Sequence, residues 1–224
     1  MRWRDLFNGV RLLFFNFRKK AKGYSHKKSN NYTEFSIEAL MEKQNSQEFK
    51  LKKKIGDLRN KAESINDRVE KESILLKCES MAQNDPIELH FTYSGLIELY
   101  YGQREEWENS LEKCIQYCKK DISLFPSFKK EWINDEIFRL KCLLSMYEKG
   151  SEEYKKREKE LNNYEWRPPR IPSFQRLAII YEKLGKYEDA INVCNIAISY
   201  GLHDGTKGGF EGRIERLKKK ILKN

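Results

Sequence analysis

The chain has 224 residues, of which 39% are apolar, 35% charged and 12% aromatic, with a formal net charge of +10. That aromatic content excludes wholesale disorder, and no run reaches the ~18 apolar residues of a membrane-spanning helix. Five prolines and twelve glycines among long Glu/Lys/Leu/Ile stretches favour helices, so the expected class is all-α.

The positive charge is uneven. Residues 1–30 carry nine Lys/Arg against one Asp, and residues 171–224 carry ten basic against six acidic side chains. The middle is close to neutral. Three segments are expected: a basic amphipathic arm and hinge over 1–33, a long helical, weakly coiled-coil-like region over 34–84, and a helical-repeat domain over 85–224.

The arm has a clear period. Trp3, Leu6, Phe7, Val10, Leu13, Phe14 and Phe17 recur at i, i+3, i+4, i+7 and form one apolar helical face. Arg11 interrupts the apolar run and no small-residue cleavage site follows, so a signal peptide is not expected. Trp3, Phe7, Phe14 and Phe17 with Arg18 and Lys19 suit packing on a protein surface or contact with a membrane interface through residues 1–20. The arm's charge also admits nucleic acid, the less favoured partner. Residues 20–33 read as a polar hinge of Gly, Ser, Asn and Lys.

Residues 34–82 hold one glycine and no proline, and Phe49, Ile55, Leu58, Ile65, Val69, Ile74 and Leu75 recur sparsely. One or two long helices are predicted. The next helix starts at Asp85–Pro86, where Asp85 is placed to cap, Pro86 to open the first turn and Glu88 to complete a capping-box spacing. Gly102 ends it. A second helix carries Trp107, Leu111, Cys114, Cys118 and Ile122, and Pro126 is expected to close it. A third helix is expected over 128–148. Residues 150–166 read as helix or loop, and the prolines of "RPPRIPSF" make a stiff connector.

Residues 171–201, "IPSFQRLAIIYEKLGKYEDAINVCNIAISYG", carry the most specific pattern. Phe174, Leu177, Ala178, Tyr181, Gly185, Tyr187, Ala190, Cys194 and Ala197 follow the order large, Leu, small, aromatic, Gly, Tyr, Ala, large, Ala. In this the segment resembles a tetratricopeptide repeat (TPR). Only the closing proline is missing, where Leu202 stands. Residues 86–122 resemble a divergent second unit. The resemblance is to bacterial TPR-containing proteins. It implies helical hairpins stacked as a short α-solenoid and a protein or peptide partner bound in the concave groove. It places Gln175, Arg176, Ile179 and Lys183 on the groove side, with Arg176 and Lys183 suited to an acidic peptide or its terminal carboxylate.

Catalytic chemistry is not expected. Histidine is confined to His26, His90 and His203, and no metalloprotease spacing or GxSxG occurs. Cys114 and Cys118 share a helix face, but two of the four ligands of a metal site are not a site, and core packing is the expected role. No cofactor is implied. An odd count of five cysteines favours a reduced, cytoplasmic setting. The glycine-rich "GLHDGTKGGFEG" does not fit a phosphate-binding P-loop, because its lysine precedes the Gly-Gly pair and no Ser/Thr follows. Gly201 is expected to end the repeat. Phe210, Ile214, Leu217 and Ile221 then form the apolar stripe of a terminal capping helix.

Overall fold

A computed structural model describes residues 45–223 together with Ala39, Glu42 and Lys43. The described residues form eight α-helices and no strand: α1 (Gln47–Ser64), α2 (Arg68–Ala82), α3 (Pro86–Gly102), α4 (Ser110–Leu144), α5 (Glu152–Asn162), α6 (Pro172–Lys183), α7 (Tyr187–Ser199) and α8 (Gly209–Ile221).

Side-chain caps set four of the eight starts. The hydroxyl of Ser46 accepts from Phe49 N–H at 3.1 Å, and Asp67 accepts from Glu70 N–H at 2.7 Å. Asp85 accepts from both Ile87 and Glu88 N–H. The capping box stays half-made there, because Glu88 turns to Arg59 instead of back to the cap. Gly185 and Gly201 each end a helix at φ +72°. In each case the following N–H reaches back five residues, Lys186 to Tyr181 C=O at 2.9 Å and Leu202 to Ala197 C=O at 3.0 Å. These are paired Schellman closures, which need the left-handed residue that glycine supplies.

The packing order is that of stacked hairpins. α1 packs on α2, α3 on α4, α6 on α7, and α7 on α8. Between hairpins, α1 and α2 both meet α3, and α3 and α4 both meet α6. Cross-links fix the directions. Within the α3–α4 hairpin, Ser110 bonds Tyr100 C=O, the Cys114 thiol bonds Ile97 C=O and His90 meets Asp121, so the two run antiparallel. Between hairpins, Glu72 meets Lys113 and Glu79 meets Lys120, so α2 and α4 run parallel. Alternate helices therefore repeat their direction, as in an α-solenoid.

In the third hairpin Phe174, Leu177, Ala178, Ala190, Cys194 and Ala197 are all buried. The three alanines let α6 and α7 approach closely. α8 closes the stack, burying Phe210 and Leu217 while its last turn carries Lys218, Lys219 and Lys220.

α4 departs from the sequence expectation. Pro126 does not end it; the helix continues for 35 residues, about 52 Å at 1.5 Å per residue. Two phenylalanines on either side explain this. Phe125 and Phe128 have no measurable exposure. The Phe125 ring lies 5.5 Å from Phe174, 4.8 Å from Tyr200 and 5.9 Å from Trp166. Phe128 lies 4.1 Å from the His90 ring and 5.7 Å from Trp132. Breaking the helix at Pro126 would pull one of them out of the core. Pro126 itself is exposed, so water can serve the Ile122 carbonyl that proline leaves without an N–H. Residues 150–166, open between helix and loop in sequence, form α5 followed by a stretch without regular structure that leads into the proline connector.

Candidate functional site: the α3–α6 face

The four sequence-predicted groove residues lie on α6, and the structure gives them different roles. Gln175 is a structural tie. Its Nε2 donates to the Asp204 carbonyl at 2.8 Å, fastening the loop that leads to α8. Arg176 is engaged by α3. Its Nη2 donates to Glu98 Oε2 at 3.0 Å, and its guanidinium lies 4.4 Å from the centre of the Tyr101 ring. Ile179 is half-buried and Lys183 exposed.

On α3 the half-buried Phe91, Glu98 and Tyr101 lie along one helical stripe, with Ser94 between them turning its hydroxyl inward. Glu98 is its electrostatic centre. One carboxylate receives two guanidinium groups, because Arg170 of the proline connector also donates to Oε1 at 3.0 Å. The cluster therefore keeps one positive charge in excess. The α3–α6 face thus presents, beside aliphatic surface, an arginine pair and a tyrosine ring, side-chain types enriched where proteins bind proteins. Trp3, Phe7, Phe14, Phe17, Arg18 and Lys19 lie outside the described residues.

A second constellation, not singled out from sequence, sits inside the α3–α4 hairpin. His90 Nδ1 lies 2.7 Å from Asp121 Oδ1, and neither side chain has measurable exposure. The remaining atoms, His90 Nε2 and Asp121 Oδ2, have no hydrogen-bond partner, and the buried Ser94 hydroxyl one turn along α3 has none either. A carboxylate on Nδ1 with Nε2 open has the geometry of a catalytic relay. Two facts argue against that use. The pair is enclosed by Phe128 and the packed helices. The neighbouring thiol of Cys118 is pushed far above its ordinary value by contact with Cys114 and by burial, which leaves it protonated and inert. A register of 31 residues separates the pair, so no local motif announces it; only the α3–α4 pairing does.

In the glycine-rich loop, donors converge on Asp204. Thr206 gives both its N–H and its hydroxyl to Asp204 Oδ1, at 2.9 and 2.6 Å, and Arg213 donates to Oδ2 at 3.2 Å. Burial alone would raise the Asp204 carboxyl; these bonds outweigh it and hold it below its ordinary value. An anion would compete with a carboxylate already in place.

All five cysteines are free and buried. Among the described residues no three His, Cys, Asp or Glu side chains are arranged to hold a metal ion, and no helix is long and apolar enough to cross a membrane. Comparison with known proteins finds no matching family model, no matching curated protein and no matching solved structure.

Proposed function

We propose that the protein is a non-catalytic helical-repeat scaffold of the tetratricopeptide type, cytoplasmic, that holds a protein or peptide partner on its α3–α6 face. The observation that carries this reading is the Glu98 cluster. Arg170 and Arg176 converge on one carboxylate beside Tyr101, so a rigid, arginine-rich aromatic surface is built from two hairpins at once. Such a surface needs no reacting group; it needs rigidity, and stacking provides it. Five free thiols agree with a reducing compartment.

The test uses two side chains whose replacement spares the core. Arg170 is 70% exposed and Lys183 lies on the exposed end of α6. The Arg170→Glu/Lys183→Glu variant, with circular dichroism matching the wild type, is compared by affinity purification and mass spectrometry. A partner recovered by wild type and lost by the variant supports the face. Identical recovery from both removes it.

A further inference from the structure

Among the described residues, the buried side-chain atoms without a protein partner are unevenly placed. His90 Nε2, Ser94 Oγ, Asp121 Oδ2, Trp166 Nε1, Ser173 Oγ and Arg176 Nε lie on α3, α4, α6 and the segment before α6, and none lies on α1 or α2. The polar groups that join the first hairpin to the second meet one another instead. Arg59 meets Glu88, Glu72 meets Lys113 and Tyr100, and Glu79 meets Lys120 and Tyr117.

Three of the unpaired atoms belong together. His90 and Ser94 are four residues apart on α3 and so share a face. Asp121 of α4 is held to His90 at 2.7 Å, and neither side chain has measurable exposure. The rings of Phe128 and Phe91 lie 4.1 and 5.2 Å from the His90 ring. Leaving three buried polar groups unserved at one spot would cost a large part of a domain's marginal stability.

Chemistry narrows what serves them. His90 Nδ1 faces a carboxylate and donates to it, so Nε2 accepts in the neutral ring and donates in the charged one. Asp121 Oδ2 accepts, and the Ser94 hydroxyl does both. The occupant must therefore both donate and accept. Among the described residues no three ligands converge on a metal ion. An organic ligand would have to displace one of the packed rings. Water meets each condition, and a buried water typically makes about three hydrogen bonds to such groups.

We propose that the α3–α4 hairpin holds an internal water site at His90 Nε2, Ser94 Oγ and Asp121 Oδ2. Ser94 stands one turn before Glu98, so the site backs the α3–α6 face from inside.

Ser94→Ala tests it by the sign of its effect in urea denaturation. At a hydrated site the alanine removes one of the water's partners. The folding equilibrium constant should then fall about threefold, against alanine's own helix preference. At a dry site the same change removes an unpaired hydroxyl, and the constant should rise about fivefold or more. An unchanged or raised constant overturns the proposal. A second measurement needs no variant. A high-resolution crystal structure of the full chain should show a solvent peak within hydrogen-bond distance of at least two of the three atoms. Density in which these atoms meet only protein overturns the site whatever the alanine shows.

Discussion

His90 and Asp121 illustrate how a polar pair survives in an apolar hairpin. Each would be costly to bury alone; together, at 2.7 Å, they satisfy one atom apiece and leave one apiece unmade. Such a pair adds little net stability compared with an apolar pair of the same volume, yet breaking it strands its partner. His90→Phe and Asp121→Leu alone are each expected to destabilise by about 3–5 kcal/mol, while His90→Phe/Asp121→Leu recovers most of that loss. Urea denaturation of the three variants measures it. Simple additivity of the single effects would show that the two side chains are not coupled. Glu88 lies two residues before His90 and is also buried. Burial pushes its carboxyl above the ordinary value, and Arg59 offsets this only in part.

Helix α4 shows where local signals lose to packing. Proline in a helix interior costs about 3 kcal/mol relative to alanine. Here that cost is borne because Phe125 and Phe128 tie the helix to α3, α6, α7 and the connector. Pro126→Ala restores an N–H to the Ile122 carbonyl at an exposed position. It should raise stability by about 1–3 kcal/mol in chemical denaturation, and a lowered midpoint would mean that the ring itself packs. The same contrast explains what was legible beforehand. α6 and α7 were readable because small residues, a turn glycine and aromatics recur at fixed local spacing, and Gly185 and Gly201 end their helices as that spacing implies. The run-through at Pro126 was not, because the phenylalanines' partners are up to 75 residues away. For the same reason the sequence suggests Arg176 as a groove cation but holds no sign of its bond to Glu98, 78 residues earlier.

At the scale of the whole molecule, the first hairpin is fastened to the second by two matched polar clamps. Glu72 accepts from Tyr100 and Lys113, and one helical stretch later Glu79 accepts from Tyr117 and Lys120. Burial, and then these hydrogen bonds to carboxylates, push both phenols well above their ordinary value. The native state therefore holds its phenolic protons more tightly than the unfolded chain does. Their contribution is fully present below the ordinary phenol value of about 10 and is lost as pH rises above it, at about 1.4 kcal/mol per pH unit for each tyrosine. Thermal melts from pH 8 to 12 should show a plateau and then a decline, and the decline should be shallower in Tyr100→Phe/Tyr117→Phe. Equal slopes in the two proteins would remove the clamps from the account.

The unbroken α4 also bears on how this architecture can change length. An array of equal units gains or loses one by duplication or deletion, and the seam closes because every junction is alike. α4 has no such seam: one rod serves the second hairpin with its first half and carries α5 beyond Pro126 with its second. A unit spliced in at that point would rotate Phe125 and Phe128 off the core. An insertion or deletion of a whole unit within α4 is therefore expected to unfold the chain, read as loss of a cooperative urea transition, because Phe125 and Phe128 would lose their partners.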